Sequence, residues 1–97
     1  MYHSVPLVVD ADNTVEGEGI SPQSSEITFV AVQTDGTSAT VLIQGSPDNV
    51  NWLTLKTLSL SNDVKAETYT GKWNYIRGKV SAFSGGAQAL VNVYMMQ

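Results

Sequence analysis

A small antiparallel β-sandwich is the fold this sequence predicts, and three observations carry that reading. Short apolar and β-branched runs recur along the chain, separated by clusters of Gly, Pro, Asn, Asp and Ser that favour tight turns. Two of the runs alternate between apolar and polar residues with the period of a pleated strand. No stretch keeps a helical period long enough to form a helix. At 97 residues the chain is one domain. A domain of this size buries roughly 60–65% of its unfolded surface, enough for one thin core.

Taken in order, the elements number about seven or eight short strands. Residues 2–9 hold Val5, Leu7, Val8 and Val9 and read as an edge strand, with Pro6 turned away from the partner it cannot donate to. Residues 10–25 are rich in Asp, Glu, Gly and Ser and form a long acidic surface loop. Residues 1–25 are therefore an N-terminal arm and loop, and residues 26–97 the β-sandwich domain.

Residues 26–33 are apolar on both faces and belong in the middle of a sheet. Asp35-Gly36 predicts a two-residue hairpin back into residues 39–44. Ser46-Pro47-Asp48-Asn49 turns the chain into residues 52–60, and strands at 65–70, 74–82 and 89–96 follow, the last two joined by a turn at Ser84-Gly85-Gly86. In the strand from Tyr75, Ile76, Gly78, Val80 and Ala82 face the core. In the last strand Ala89, Val91, Val93 and Met95 do so, and the opposite face, with Leu90, Tyr94 and Met96, is also fairly apolar. A terminal strand with two apolar faces is more than a monomer needs. The expected core is Phe29, Val41, Ile43, Trp52, Ile76, Val80, Val91 and Val93.

Charge narrows the function. Only 14% of residues are charged, against about 25% in ordinary soluble domains. Surfaces so poor in charge are often covered in use, by copies of the same chain or by a larger assembly. Residues 1–55 carry seven acidic residues and no Lys or Arg, whereas residues 56–97 carry a net +3, giving −4 in all. Such polarity suits head-to-tail packing if it survives folding. Nucleic acid is disfavoured as a partner, because a phosphate footprint needs clustered Lys and Arg. No basic region precedes an apolar run at the N-terminus, so a signal peptide is not expected, and no apolar run approaches the roughly 18 residues that span a membrane. Without cysteine, no disulfide can form.

The side chains that could carry chemistry are few. Nucleophilic catalysis would have to use His3, the one histidine, which sits near a terminus; no enzymatic activity is expected. His3 also lacks a second His or any Cys to share a metal. Asp10, Asp12, Asn13, Glu16 and Glu18 place five oxygen-bearing side chains close together, but the spacing departs from an EF-hand at Thr14 and Val15, so a solvated loop is expected and no metal or cofactor. Trp73 and Tyr75, close to Arg77, have the makings of a stacking platform for a sugar or peptide, although packing is the simpler role.

The Ser46, Asp48, Trp52 turn is read as structural, its Ser and Asp side chains accepting backbone N–H groups while Trp packs over the hairpin base. It resembles the Ser-x-Asp-Gly-x-x-Trp hairpins of discoidin-type and other carbohydrate-binding sandwiches, with Asn49 where Gly is usual. Asn tolerates the left-handed backbone that position requires.

Over roughly its last 55 residues, through Gln44-Gly45-Ser46, Asp48, Asn51-Trp52, Tyr75-Ile76-Arg77 and Gly85-Gly86, the chain resembles small β-sandwich structural proteins of tailed bacteriophages. These include capsid decoration (cement) proteins and accessory domains of tail and adaptor proteins. The resemblance implies a jelly-roll or related sandwich made in the host cytoplasm. It would sit on the virion's outer capsid surface as dimers or trimers and bind the major capsid protein. The runner-up is a carbohydrate-binding module for host adhesion. The surfaces expected to meet a partner are Tyr2, Val5, Leu7 and Val9 on the arm, adding a strand to a neighbour's sheet edge, and Tyr94 and Met96 on the last strand. On this reading, removing residues 1–20 leaves a folded sandwich.

Overall fold

The computed structural model describes residues 4–97, so Tyr2 and His3 lie outside the described residues. The described residues form six antiparallel strands and no helix. They are β1 (Ser4–Ala11), β2 (Val15–Glu16), β3 (Glu26–Ser46), β4 (Leu53–Leu60), β5 (Val64–Thr70) and β6 (Tyr75–Met96). All belong to one hydrogen-bonded sheet of order β1-β6-β3-β4, with β2 also on β6 and β5 also on β3.

The strand count falls short of the expected seven or eight because two expected hairpins do not reverse the chain. Asp35-Gly36 lies inside β3, and Ser84-Gly85-Gly86 lies inside β6. The physical reason is a non-local one. A hairpin at Asp35 would lay residues 26–33 on residues 39–44, but each half finds a longer partner in β6: Phe29 opposite Met95 and Val41 opposite Val80. Gly36 and Gly85 face one another where both strands change register. A Cβ on Gly85 would stand 2.9 Å from the Gly36 Cα, so only glycine lets the two backbones come this close at the corner. Asp35 takes the left-handed region there, with φ 55°.

The result is a long β3–β6 ribbon bent at its middle. One half is flanked by β1 and β5, the other by β2 and β4. The inward side chains of both halves meet in one core containing Phe29, Ala31, Val41, Ile43, Ile76, Val80, Val91, Val93 and Met95. Each side chain of Val, Ile, Phe or Met size buried in this way stabilises the fold by about 1.5–3 kcal/mol.

Gln33 is buried with them and ties the corner together. Its Nε2 donates to the Ser38 carbonyl at 2.9 Å, and its Oε1 accepts the Asn62 N–H at 2.9 Å. The ribbon's bend and the β4–β5 turn are thereby held by one amide.

Two details depart from the expected alternation. Ser81 is an extra residue opposite the Thr40–Val41 step, so Ala82 is exposed rather than inward. In β1 the register shifts between Pro6 and Val8, and again before Ala11, so Leu7 and Val8 are both buried. A strand with a bulge can turn consecutive side chains the same way.

Candidate interaction surface

The polar side chains of the Ser46–Trp52 turn and around Arg77 are engaged with one another. Ser46 and Asp48 build the turn as its residue types require. The Ser46 hydroxyl accepts the N–H groups of Asp48 at 3.2 Å and Asn49 at 2.8 Å, and donates to Asp48 Oδ1 at 3.0 Å. Asp48 Oδ1 accepts the N–H groups of Val50 and Asn51, and Oδ2 accepts the Asn51 amide. The Asn51 N–H, then the Val50 N–H, hold the Asp48 carboxyl well below its ordinary pKa of 3.8. Asn49 has φ 63°, the conformation its residue type tolerates.

Trp52 is not a core residue as expected. It is half-exposed, and its ring carries the Arg77 guanidinium 4.3 Å from its centroid. Arg77 Nε donates to Gln44 Oε1 at 2.8 Å, and Arg77 Nη1 lies 3.6 Å from Glu16, which also meets Lys79 at 3.3 Å. A cation over an indole face is favourable and occupies that face.

Trp73 lies on Gly45 and donates Nε1–H to the Tyr69 hydroxyl at 3.2 Å. Trp73 and Arg77 thus stack on different partners and do not form one platform. Glu16 of the acidic loop is turned to Arg77 and Lys79. Among the described residues no three of His, Asp and Glu gather closely enough to hold a metal ion.

The arm residues are placed as follows. β1 is added to the edge of the chain's own β6, with Val5 opposite Met95 and packed on the core. Leu7 is only 5% exposed, so its face is already occupied from within the chain. Val9 is 63% exposed, and Tyr2 lies outside the described residues. The loop that follows is also tied down. Gly17 N–H donates to the Gly78 carbonyl, and Ile20 and Ile76 exchange two backbone bonds, all at 2.8 Å.

Tyr94 and Met96 are brought onto one outer face. Because Phe29, Ala31, Val93 and Met95 point inward, their neighbours along the strands point out. Across the face, Met96 stands between Ser4 and Thr28, and Thr28 opposite Thr68. The next row runs Pro6, Tyr94, Val30, Ala66, and the third Asn92, Val32, Val64. None of these eleven residues is charged; Glu26 stands at one margin and Asp10, whose N–H donates to Asn92 Oδ1 at 2.9 Å, at another. The outer face of the other half carries Arg77, Lys79, Thr40, Thr57 and Ser59 around Leu42, a sheet face with charged and polar groups that meets water.

Sequence reasoning placed Tyr94 and Met96 on an apolar face but missed Val30, Val32 and Val64 as its other members. The available signal was that residues 26–33 and 89–96 are each apolar on both sides. Their direct pairing joins the two outward stripes.

No protein-family model and no curated protein matches the chain. Among solved structures, the crystal structure of SPBc2 prophage-derived protein YomS aligns with it at TM-score 0.70, covering 100% of this chain and 94% of that one at 13% identity. At that identity the likeness is one of fold.

Proposed function

We propose that the chain is a non-enzymatic structural protein of a tailed-phage virion, a capsid decoration protein of jelly-roll sandwich type that binds the major capsid protein on the outer shell. The observation that carries this is the outer sheet face whose eleven residues include no charged side chain. Such a face is suited to being covered. The full-length fold likeness to a prophage-derived protein supports a phage setting. The bent ribbon, whose halves share one core, supports the sandwich description.

The test is co-sedimentation with empty shells assembled from the major capsid protein of a phage that carries this chain. The protein is expected to pellet with shells to a saturating occupancy and to raise their resistance to heat. Protein that stays in the supernatant at every ratio would refute the assignment.

A carbohydrate-binding adhesion module is the second reading, favoured by half-buried Trp73, which packs against Gly45 and lines a shallow depression with Lys72 and Pro22. It requires tryptophan fluorescence to shift with a glycan, whereas a decoration protein should give no such shift.

A further inference from the structure

We infer that the uncharged outer face of β1, β6, β3 and β5 is a self-association surface, and that its occupant is a second copy of this chain related by a two-fold axis. The inference deepens the proposed function, because it gives the face that carries that reading to the contact between copies within the decorating oligomer; co-sedimentation with shells and the self-association test below fail separately. Val64 is 59% and Met96 37% exposed, and both flank half-buried Val30, Val32 and Tyr94. Tyr94 in the middle row and Met96 in the outer row are residue types enriched in the cores of interfaces.

The choice of a second copy rests on charge and area. A two-fold contact sets a surface against itself, so any charge near the axis meets its like. Each copy carries −4, and contact through most of its surface would bring like charges together. This face keeps its charges, Asp10 and Glu26, at the margin, while the opposite one carries Glu16, Arg77 and Lys79 within it.

Four strands about 4.8 Å apart and three outward residues at about 6.8 Å spacing make a patch of roughly 400 Å² in projection. The patch is smaller than the roughly 600 Å² per partner at the lower end of specific interfaces, the size of a weak contact. A reversible dimer, rather than an obligate one, is the matching outcome.

The test is sedimentation velocity from micromolar to millimolar concentration on the full chain and on V64E, M96E and V50E. Val50 is 74% exposed in the Ser46–Trp52 turn, away from the face, and serves as control. The wild type and V50E are expected to dimerise alike, and V64E and M96E to weaken dimerisation at least about tenfold while keeping the melting temperature. The chain has no cysteine, so V64C and V50C give a second readout. The first is expected to crosslink copies through a short bis-maleimide and the second not. A wild type that stays monomeric at millimolar concentration, or a dimer indifferent to V64E and M96E, would overturn the inference.

Discussion

Gly78 and Val93 belong to one strand, yet a Cβ on Gly78 would stand 3.6 Å from Val93 Cγ1. Fifteen residues of extended strand would hold them about 50 Å apart. β6 therefore doubles back on itself. The same position on Gly78 lies 3.2 Å from Val8 Cγ2 and 3.3 Å from Leu7 Cβ, so β1 completes the contact. The two halves meet here at a residue with no side chain.

A larger side chain at that point should push the halves apart. Gly78→Val is expected to destabilise the protein by about 1–3 kcal/mol, as overpacked cores do. Denaturant unfolding measures it. A variant as stable as wild type would show that the halves are not in contact there.

Val80 is 1% exposed and directly opposite Val41. Val80→Ala should cost about 1–3 kcal/mol through lost burial and the cavity left behind. Lys79→Ala, on the outer face, should stay within about 0.5 kcal/mol. If the two effects were reversed, the register of β6 would be one residue out.

Gln33→Leu should cost about 1–3 kcal/mol despite adding an apolar side chain in a buried place. It leaves the Ser38 carbonyl and the Asn62 N–H without their partner. Hydrogen exchange at Asn62 should accelerate in the variant, and unchanged protection there would deny Gln33 its tie to the corner.

Removing residues 1–20 should unfold most of the protein rather than leave a folded domain. Leu7 and Val8 together contribute about 3–6 kcal/mol by burial, a large share of the 5–15 kcal/mol that holds a typical domain. Circular dichroism of the truncated chain decides the matter. A cooperative melt near the wild-type temperature would mean that β1 is dispensable.

Asp48 should make part of the acid sensitivity. Its carboxyl pKa is depressed in the folded chain, so its contribution is complete above its ordinary value near 3.8 and is lost as pH falls below that. Asp48→Ala should lower the melting temperature at pH 7, and the gap to wild type should narrow in more acidic buffer. A gap that is constant with pH would remove the carboxylate from the turn's energetics. Self-association should be the same in both proteins.

Much of this fold is legible in local pattern, and what is not depends on pairings far apart in the chain. The inward residues of β6, from Ile76 to Val80 and from Ala89 to Met95, follow from alternation alone. So does the turn at Ser46 and Asp48, because its hydrogen bonds lie within a few residues. Asp35-Gly36 reads identically for a hairpin and for a bent strand, and the competition is settled by β6, some fifty residues on. Trp52 looked like core because its distant partner, Arg77, cannot be inferred from spacing. Val64 gains its significance only from standing opposite Val32, which itself neighbours Asn92 on β6.

The central claim, that the molecule works through its uncharged outer face, is tested most directly by diluting ¹⁵N-labelled protein and following each amide. The shifts that move with concentration are expected to cluster at Thr28, Val30, Val32, Val64, Tyr94 and Met96, with those around Arg77 and Lys79 unmoved. Movement centred on Arg77 and Lys79, or no movement up to millimolar concentration, would contradict it.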